Sequence, residues 1–186
     1  VVVNVLDKPI KNINKSKKVK KLKKRLKRLQ KQVSRKYELN KQENKFIKTN
    51  NIIKLEKRIK LLHRKLSNIR NNHIHQATNK IIKLKPHRVV MEDLNVKGMM
   101  KNKHLSKSIQ EQGFYEFIRQ MKYKCEFNRI EFTQADRYFP SSKLCSCCGS
   151  IKKDLKLKDR VYKCNCGLEI DRDKNASINL SNYGLA

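Results

Sequence analysis

The sequence predicts an α/β fold that carries two insertions, a basic antiparallel helical hairpin and a cysteine-rich ribbon. Three observations predict it. Apolar residues recur at helical spacing over two long, lysine-rich stretches of the first half. In the second half, short apolar runs alternate with a further helical pattern, which is the order of an α/β sheet. Five of the six cysteines lie between Cys145 and Cys166, in two clusters that each end in glycine.

Composition narrows the class. Of the net charge of +31, residues 1–85 contribute 28 Lys and Arg against 4 Asp and Glu, whereas residues 86–186 contribute 19 against 12. A basic half joined to a nearly balanced half points to a polyanionic partner, most simply nucleic acid, because self-repulsion on this scale opposes folding without a counter-charge. The chain is 38% hydrophobic and 34% charged, which excludes a membrane protein and a wholly disordered one. No apolar run approaches the roughly 18 residues of a membrane span. The opening VVVNVLDKPI has neither an initiator Met nor a signal pattern, and reads as a truncation. With no secretion signal, clustered cysteines favour a metal over disulfides.

The elements follow in order. VVVNV has strong β propensity and reads as a strand, followed by a turn at Asp7-Lys8-Pro9. Residues 17–36 place Val19, Leu22, Leu26, Leu29 and Val33 on one helical stripe, with Lys and Arg on the other faces. Residues 37–50 are polar and break the pattern. Residues 52–70 resume it through Leu55, Ile59, Leu62, Leu66 and Ile69, so the two helices pair as an antiparallel hairpin. The stripe is the packing seam. The outer faces are the candidate phosphate-contacting surface, with Lys20, Lys24, Arg25, Lys27, Arg28, Arg35, Arg58 and Arg64 as its residues. Residues 73–85 continue helically and end before Pro86.

Residues 88–96, RVVMEDLNV, have no alternation, which suits a strand covered on both faces. Glu92 ends its apolar run, at the carboxyl end where α/β sheets build their sites; it is either a catalytic carboxylate or a surface acid capping the next turn. Residues 97–106 read as a basic loop. Residues 107–128 read as one helix with Ile109, Phe114, Phe117, Ile118, Met121 and Cys125 inward, and 129–134 as a strand.

Cys145 and Cys148 form a C-x-x-C closed by Gly149, and Cys164 and Cys166 precede Gly167. Each glycine supplies the positive φ of a knuckle turn, and four thiolates satisfy tetrahedral Zn²⁺. Cys147 is either a free thiol or an alternative ligand. Residues 171–186 form a closing helix ended by Gly184. Asp171 or Asp173, near its start, is either an N-cap or a metal-binding carboxylate. His63, His73, His75 and His104 have no ligand spacing to the cysteines.

Four segments in one order, VMEDLNVKGM (90–99), FPSSKLC (139–145), Cys166-Gly167 and DRDKNASIN (171–179), together resemble the TnpB, or OrfB, proteins of bacterial insertion sequences, relatives of the type V CRISPR effector nucleases. The resemblance runs through essentially the whole chain. It implies an RNase H-like (RuvC) domain over residues 1–135 with the helical hairpin at 15–85, a zinc ribbon over 136–168, and a closing RuvC segment and helix over 169–186. It further implies a cytoplasmic, nucleoid-associated protein whose partners are DNA and a guide RNA, with no membrane and no small-molecule substrate. In that family three carboxylates hold two Mg²⁺ ions. Matched motif to motif, two of them are Glu92 and Asp173, with Asp171 as a neighbour. The third, an Asp in a G-x-D-x-G-like first strand, has no match here, and Asp7 falls in a turn. The expectation is therefore a truncated, catalytically impaired endonuclease with structural Zn²⁺ and, if active, catalytic Mg²⁺. The alternative is a non-catalytic remnant that grips nucleic acid through the hairpin and the ribbon.

Overall fold

Ser16 starts the first long helix. In the computed structural model, which describes residues 10–43, 45–156 and 158–185, its Oγ accepts from the Val19 N–H at 3.3 Å and caps α1 (Lys17–Leu39). The strand and turn expected within residues 1–9 lie outside the described residues. After α1 the chain makes a short ladder of β1 (Lys41–Gln42) and β2 (Lys45–Phe46), then runs through α2 (Asn50–Lys83). The polar stretch at 37–50 is thus partly helix and partly hairpin. The two helical patterns at 52–70 and 73–85 are a single helix, because no Gly or Pro interrupts them.

The described chain separates into two units. One holds Asn12–Ile74 and Glu111–Gly113. Its core is the expected seam: Val19, Leu26, Leu62 and Leu66 are buried together, with Ile13, Leu22, Leu29, Ile59 and Ile69 against them. Pairings along the helices establish the antiparallel sense. Tyr37 donates to Glu56 at 2.6 Å near the connection, and Arg70 donates to Asn14 at 3.1 Å at the far end. Glu111 closes that end by accepting from Lys23 at 2.5 Å and forming an ion pair with Arg70 at 3.4 Å.

The other unit holds residues 10–11, 75–110 and 114–185 among those described. Its central sheet pairs β3 (Arg88–Glu92) with β4 (Glu131–Ala135) in parallel, in the register Arg88↔Glu131 to Glu92↔Ala135. A parallel pair requires a crossover, and here it runs through α3 (Val96–Met100), α4 (Ser106–Gln112) and α5 (Phe114–Phe127). The basic loop expected at 97–106 contains α3, because Asn95 accepts from the Gly98 N–H at 2.9 Å and caps it. The single helix expected at 107–128 is two. Gly113 takes φ +66 and breaks it, and a Cβ there would stand 2.8 Å from the Ile74 side chain. β3 is half-buried from Arg88 to Met91, so each of its faces is covered in part rather than fully.

Inside this unit Phe117, Met121 and Cys125 of α5 are buried, as their spacing predicts. Lys124 is buried beside them and donates to Thr78 and Asn79 at 2.7 Å each and to the His75 carbonyl at 3.2 Å. Burial pushes its amine below the usual lysine range. Next come β5 (Val161–Lys163) and β6 (Glu169–Asp171), an antiparallel pair, and then α6 (Arg172–Ser181), which packs on β3.

The hairpin seam sets one testable consequence. Leu66 is 4% exposed and Leu61 54% exposed on the same helix. Leu66→Ala is expected to destabilise the hairpin by about 2–5 kcal/mol, and Leu61→Ala by about 0.5 kcal/mol or less, in urea unfolding followed by circular dichroism.

Candidate carboxylate cleft and cysteine metal centre

The short run Val89-Val90-Met91 extends as a strand and delivers Glu92 at its carboxyl end. Glu92 lines a cleft of about 870 Å³ whose wall is otherwise mainly apolar. The opposite contribution comes from α6. Asp171 caps it, accepting from the N–H groups of Asp173 and Lys174 at 3.0 Å each. Asp173, two residues on, lines the same cleft as Glu92, followed at helical spacing by Ala176, Ser177 and Leu180. One aspartate therefore holds the helix start, and the other stands in the cleft wall. Asp93, beside Glu92, is paired with Arg137 at 2.6 Å.

The other face of α6 is polar and buried. Asn175 donates to the Leu144 carbonyl at 2.7 Å and accepts from the Ser146 N–H at 3.1 Å. Asn179 donates to the carbonyls of Ser141 at 2.8 Å and Leu144 at 2.7 Å. Ser141 in turn donates its hydroxyl to Glu92 Oε1 at 2.5 Å. Sequence reasoning missed these three residues. Asn at i and i+4 on a helix reads as surface polarity, and the only available signal was that both lie within the quoted DRDKNASIN segment.

The loop gripped by α6 leads directly into the cysteines. Sγ atoms of Cys145, Cys148, Cys164 and Cys166 all lie within 4.8 Å of one another. The closest pairs are Cys145–Cys166 at 3.7 Å and Cys148–Cys164 at 3.6 Å. Four thiolates about 2.3 Å from one central ion in a tetrahedron stand about 3.8 Å apart, so the set fits a metal without rearrangement. Gly149 and Gly167 close the two turns at φ +73 and +92. A Cβ at either would meet nothing within 4 Å, so backbone conformation rather than space requires glycine there. Cys147 is exposed and outside the group of four.

The electrostatics of the four thiols favours a cation at their centre. Cys164 is drawn down to about 6, first by the Cys166 N–H and then by the Ser150 hydroxyl. Cys148 is lowered mainly by Ser150. Cys166 is pulled down by the Leu168 N–H, but the hydrogen bond with Cys164, burial and the remaining thiols outweigh it and hold it up at about 12. Cys164 and Cys148 are thus favoured as thiolates while Cys166 is held protonated, and a dication at the centre would relieve the repulsion that keeps it so. Beneath them Tyr162 is fully buried and donates to the Lys143 carbonyl at 3.1 Å, its hydroxyl pushed up to about 12 by burial first and then by the thiols.

The eight cations expected to meet phosphate, Lys20, Lys24, Arg25, Lys27, Arg28 and Arg35 on α1 and Arg58 and Arg64 on α2, are all exposed. Among the described residues none of them pairs with a carboxylate, whereas Lys23 and Arg70 are paired to Glu111. No described helix is long and apolar enough to cross a membrane.

Replacing Cys148 with Ser is expected to lower the metal content of the purified chain from one ion to none and to loosen residues 136–168. Elemental analysis and amide exchange would read the two effects, and full metal retention would count against the four-thiol centre.

Comparison with known proteins identifies the family. A family model described as "Probable transposase", OrfB of the IS605 type, matches residues 1–103, and a model described as "Cas12f1-like, TNB domain" matches residues 114–180. A "Putative RNA-guided DNA endonuclease" of Streptomyces pristinaespiralis is 35% identical over 125 residues, covering 67% of this chain and 31% of its own length. The "Putative RNA-guided DNA endonuclease InsQ" of Escherichia coli K12 is 30% identical over 173 residues, covering 84% of this chain and 40% of its own. A solved structure titled "Cryo-EM structure of the Cas12f1-sgRNA-target DNA complex" matches with a TM-score of 0.56 and 25% identity, over 70% of this chain and 38% of that one. The chain thus spans 31% and 40% of the length of these two relatives. With more than half of its length matched by the first family model, the chain belongs to the OrfB, or TnpB-like, probable transposase family.

Proposed function

We propose that this chain supplies the metal-binding carboxylates and the cysteine ribbon of a transposon-encoded, RNA-guided DNA endonuclease of RuvC type. One observation carries the reading: Glu92, at the carboxyl end of a parallel strand, and Asp173, in the first turn of α6, line a single cleft. The relatives named as RNA-guided endonucleases support the same class. In this reading residues 1–135 form the RNase H-like part with its hairpin at 15–85, residues 136–168 the zinc ribbon and residues 169–186 the closing helix.

Glu92 and Asp173 would hold Mg²⁺, a hard cation that takes carboxylate oxygens. When bound, such ions polarise the attacking water and the leaving oxygen of a phosphodiester. Arg88 and Arg172 in the same wall add positive charge complementary to phosphate. Cys145, Cys148, Cys164 and Cys166 would hold structural Zn²⁺, whose binding free energy is of order 10–16 kcal/mol in comparable small modules. Lys20, Lys24, Arg25, Lys27, Arg28, Arg35, Arg58 and Arg64 would bind guide RNA or DNA by releasing counterions.

A second reading is a nucleic-acid-binding protein without cleavage. In it Glu92 and Asp173, the acidic groups lining the cleft among the described residues, bind a cation without completing a cleaving centre. Mg²⁺-dependent cleavage of single-stranded DNA by the purified chain would rule out this second reading. Little or no cleavage is expected. Robust cleavage abolished by Glu92→Ala or Asp173→Ala would show that two carboxylates suffice.

Binding has its own test. The affinity for single-stranded nucleic acid should fall linearly on a log–log plot against salt, with each removed contact reducing the slope by about 0.7. The combined change Lys20→Ala, Lys24→Ala, Lys27→Ala and Arg35→Ala is therefore expected to flatten the slope by up to about 3, in fluorescence anisotropy. A slope unaltered by this variant, or binding insensitive to salt, would remove the hairpin from the interface.

A further inference from the structure

We infer that Ser141 is the positioning residue for Glu92, setting the direction in which its carboxylate faces the cleft; this rests on the proposed metal-binding role of Glu92. Ser141 is 4% exposed, so its hydroxyl is not exchanging partners with bulk water. It donates to Glu92 Oε1 at 2.5 Å, the short length of a hydroxyl on a carboxylate. That bond occupies one oxygen from the side of the loop and leaves the other oxygen for a ligand in the cleft.

The serine is itself held from both sides. Its N–H donates to the Phe139 carbonyl at 2.8 Å, and Phe139 packs edge-on against Tyr183 with ring centroids 4.9 Å apart. Its carbonyl accepts from Asn179, which is also 4% exposed and bound to the Leu144 carbonyl. The hydroxyl therefore takes its position from α6, the helix that also carries Asp173. Asn175 and Asn179, at i and i+4, grip the loop, while Asp173, Ala176, Ser177 and Leu180 line the cleft. Two carboxylates 81 residues apart in sequence are thereby referred to one helix. Glu92 is an exposed side chain with three rotatable bonds at a strand end, and Ser141 restrains the rotamers it would otherwise sample.

The test uses the full metal-loaded chain and Mn²⁺ as probe, with free Mn²⁺ read by electron paramagnetic resonance. Ser141→Ala is expected to weaken Mn²⁺ binding about 10-fold or more, the usual effect of losing a partner that orients a ligand. Ser141→Thr, which keeps the hydroxyl, should stay within about 3-fold of the parent, a small fraction of that effect. The Glu92→Gln variant should bind weakly, and adding Ser141→Ala to it should weaken binding no further, since the serine acts through the glutamate. Should Ser141→Ala melt early, Ser141→Cys keeps the volume with only a weak donor and carries the same expectation. Unchanged Mn²⁺ affinity in Ser141→Ala beside weakened binding in Glu92→Gln would overturn the positioning role and leave the carboxylate site standing. Additive losses in the double variant would overturn it equally. Full Mn²⁺ affinity in Glu92→Gln would overturn both the site and the inference that rests on it.

Discussion

Two buried amides on α6 decide the layout of the unit that holds the candidate sites. Asn175 and Asn179 together satisfy the carbonyls of Ser141 and Leu144 and the N–H of Ser146. An irregular loop can be buried against a helix only if its backbone groups find partners, and each one left without costs about 1–3 kcal/mol. The asparagines meet that requirement from one face of a helix. The same loop places Ser141 under Glu92 on one side and runs into Cys145 on the other. This pair of side chains adds to the packing of α6 on β3 a hydrogen-bonded tie between the helix that contributes Asp173 and the loop that leads into the cysteines.

The two candidate metal sites in this unit use opposite chemistry. The cysteine group is built from soft ligands on turns whose glycines fix the backbone, and its thiolates would share one cation. The cleft offers hard carboxylate oxygens from a strand end and a helix start, both exposed at the edge of mainly apolar walls. Separate ligand types keep a soft and a hard cation apart in a small volume. The basic hairpin, in its own unit, is a different solution again: a narrow leucine seam holds the helices, and the faces turned outward are left to charge.

Much of this was legible in the sequence. The leucine stripes on both long helices, the knuckle glycines and the strand ending in Glu92 are all periodicity or turn chemistry, which local reading captures. The breaks were harder. Gly113 lies inside a pattern that reads as continuous helix, and only its positive φ reveals the turn. Asn95 starts a helix in a stretch whose lysines read as loop. β3 was expected to be enclosed because it has no alternation, but enclosure depends on what packs against each face, which a single segment does not specify. The roles of Ser141, Asn175 and Asn179 arise from partners 29 to 49 residues away, so no local pattern announces them.

The grip of α6 on the loop also fixes an order of events during synthesis. Ser141 and Leu144 leave the ribosome well before Asn179, the side chain that will hold their carbonyls. Until residue 179 has emerged, the loop lacks those partners and Glu92 lacks a fixed serine beneath it. The hairpin seam, whose buried residues lie between Val19 and Leu66, can pair in the meantime. A nascent chain therefore presents this cationic surface before it gathers the acidic cleft.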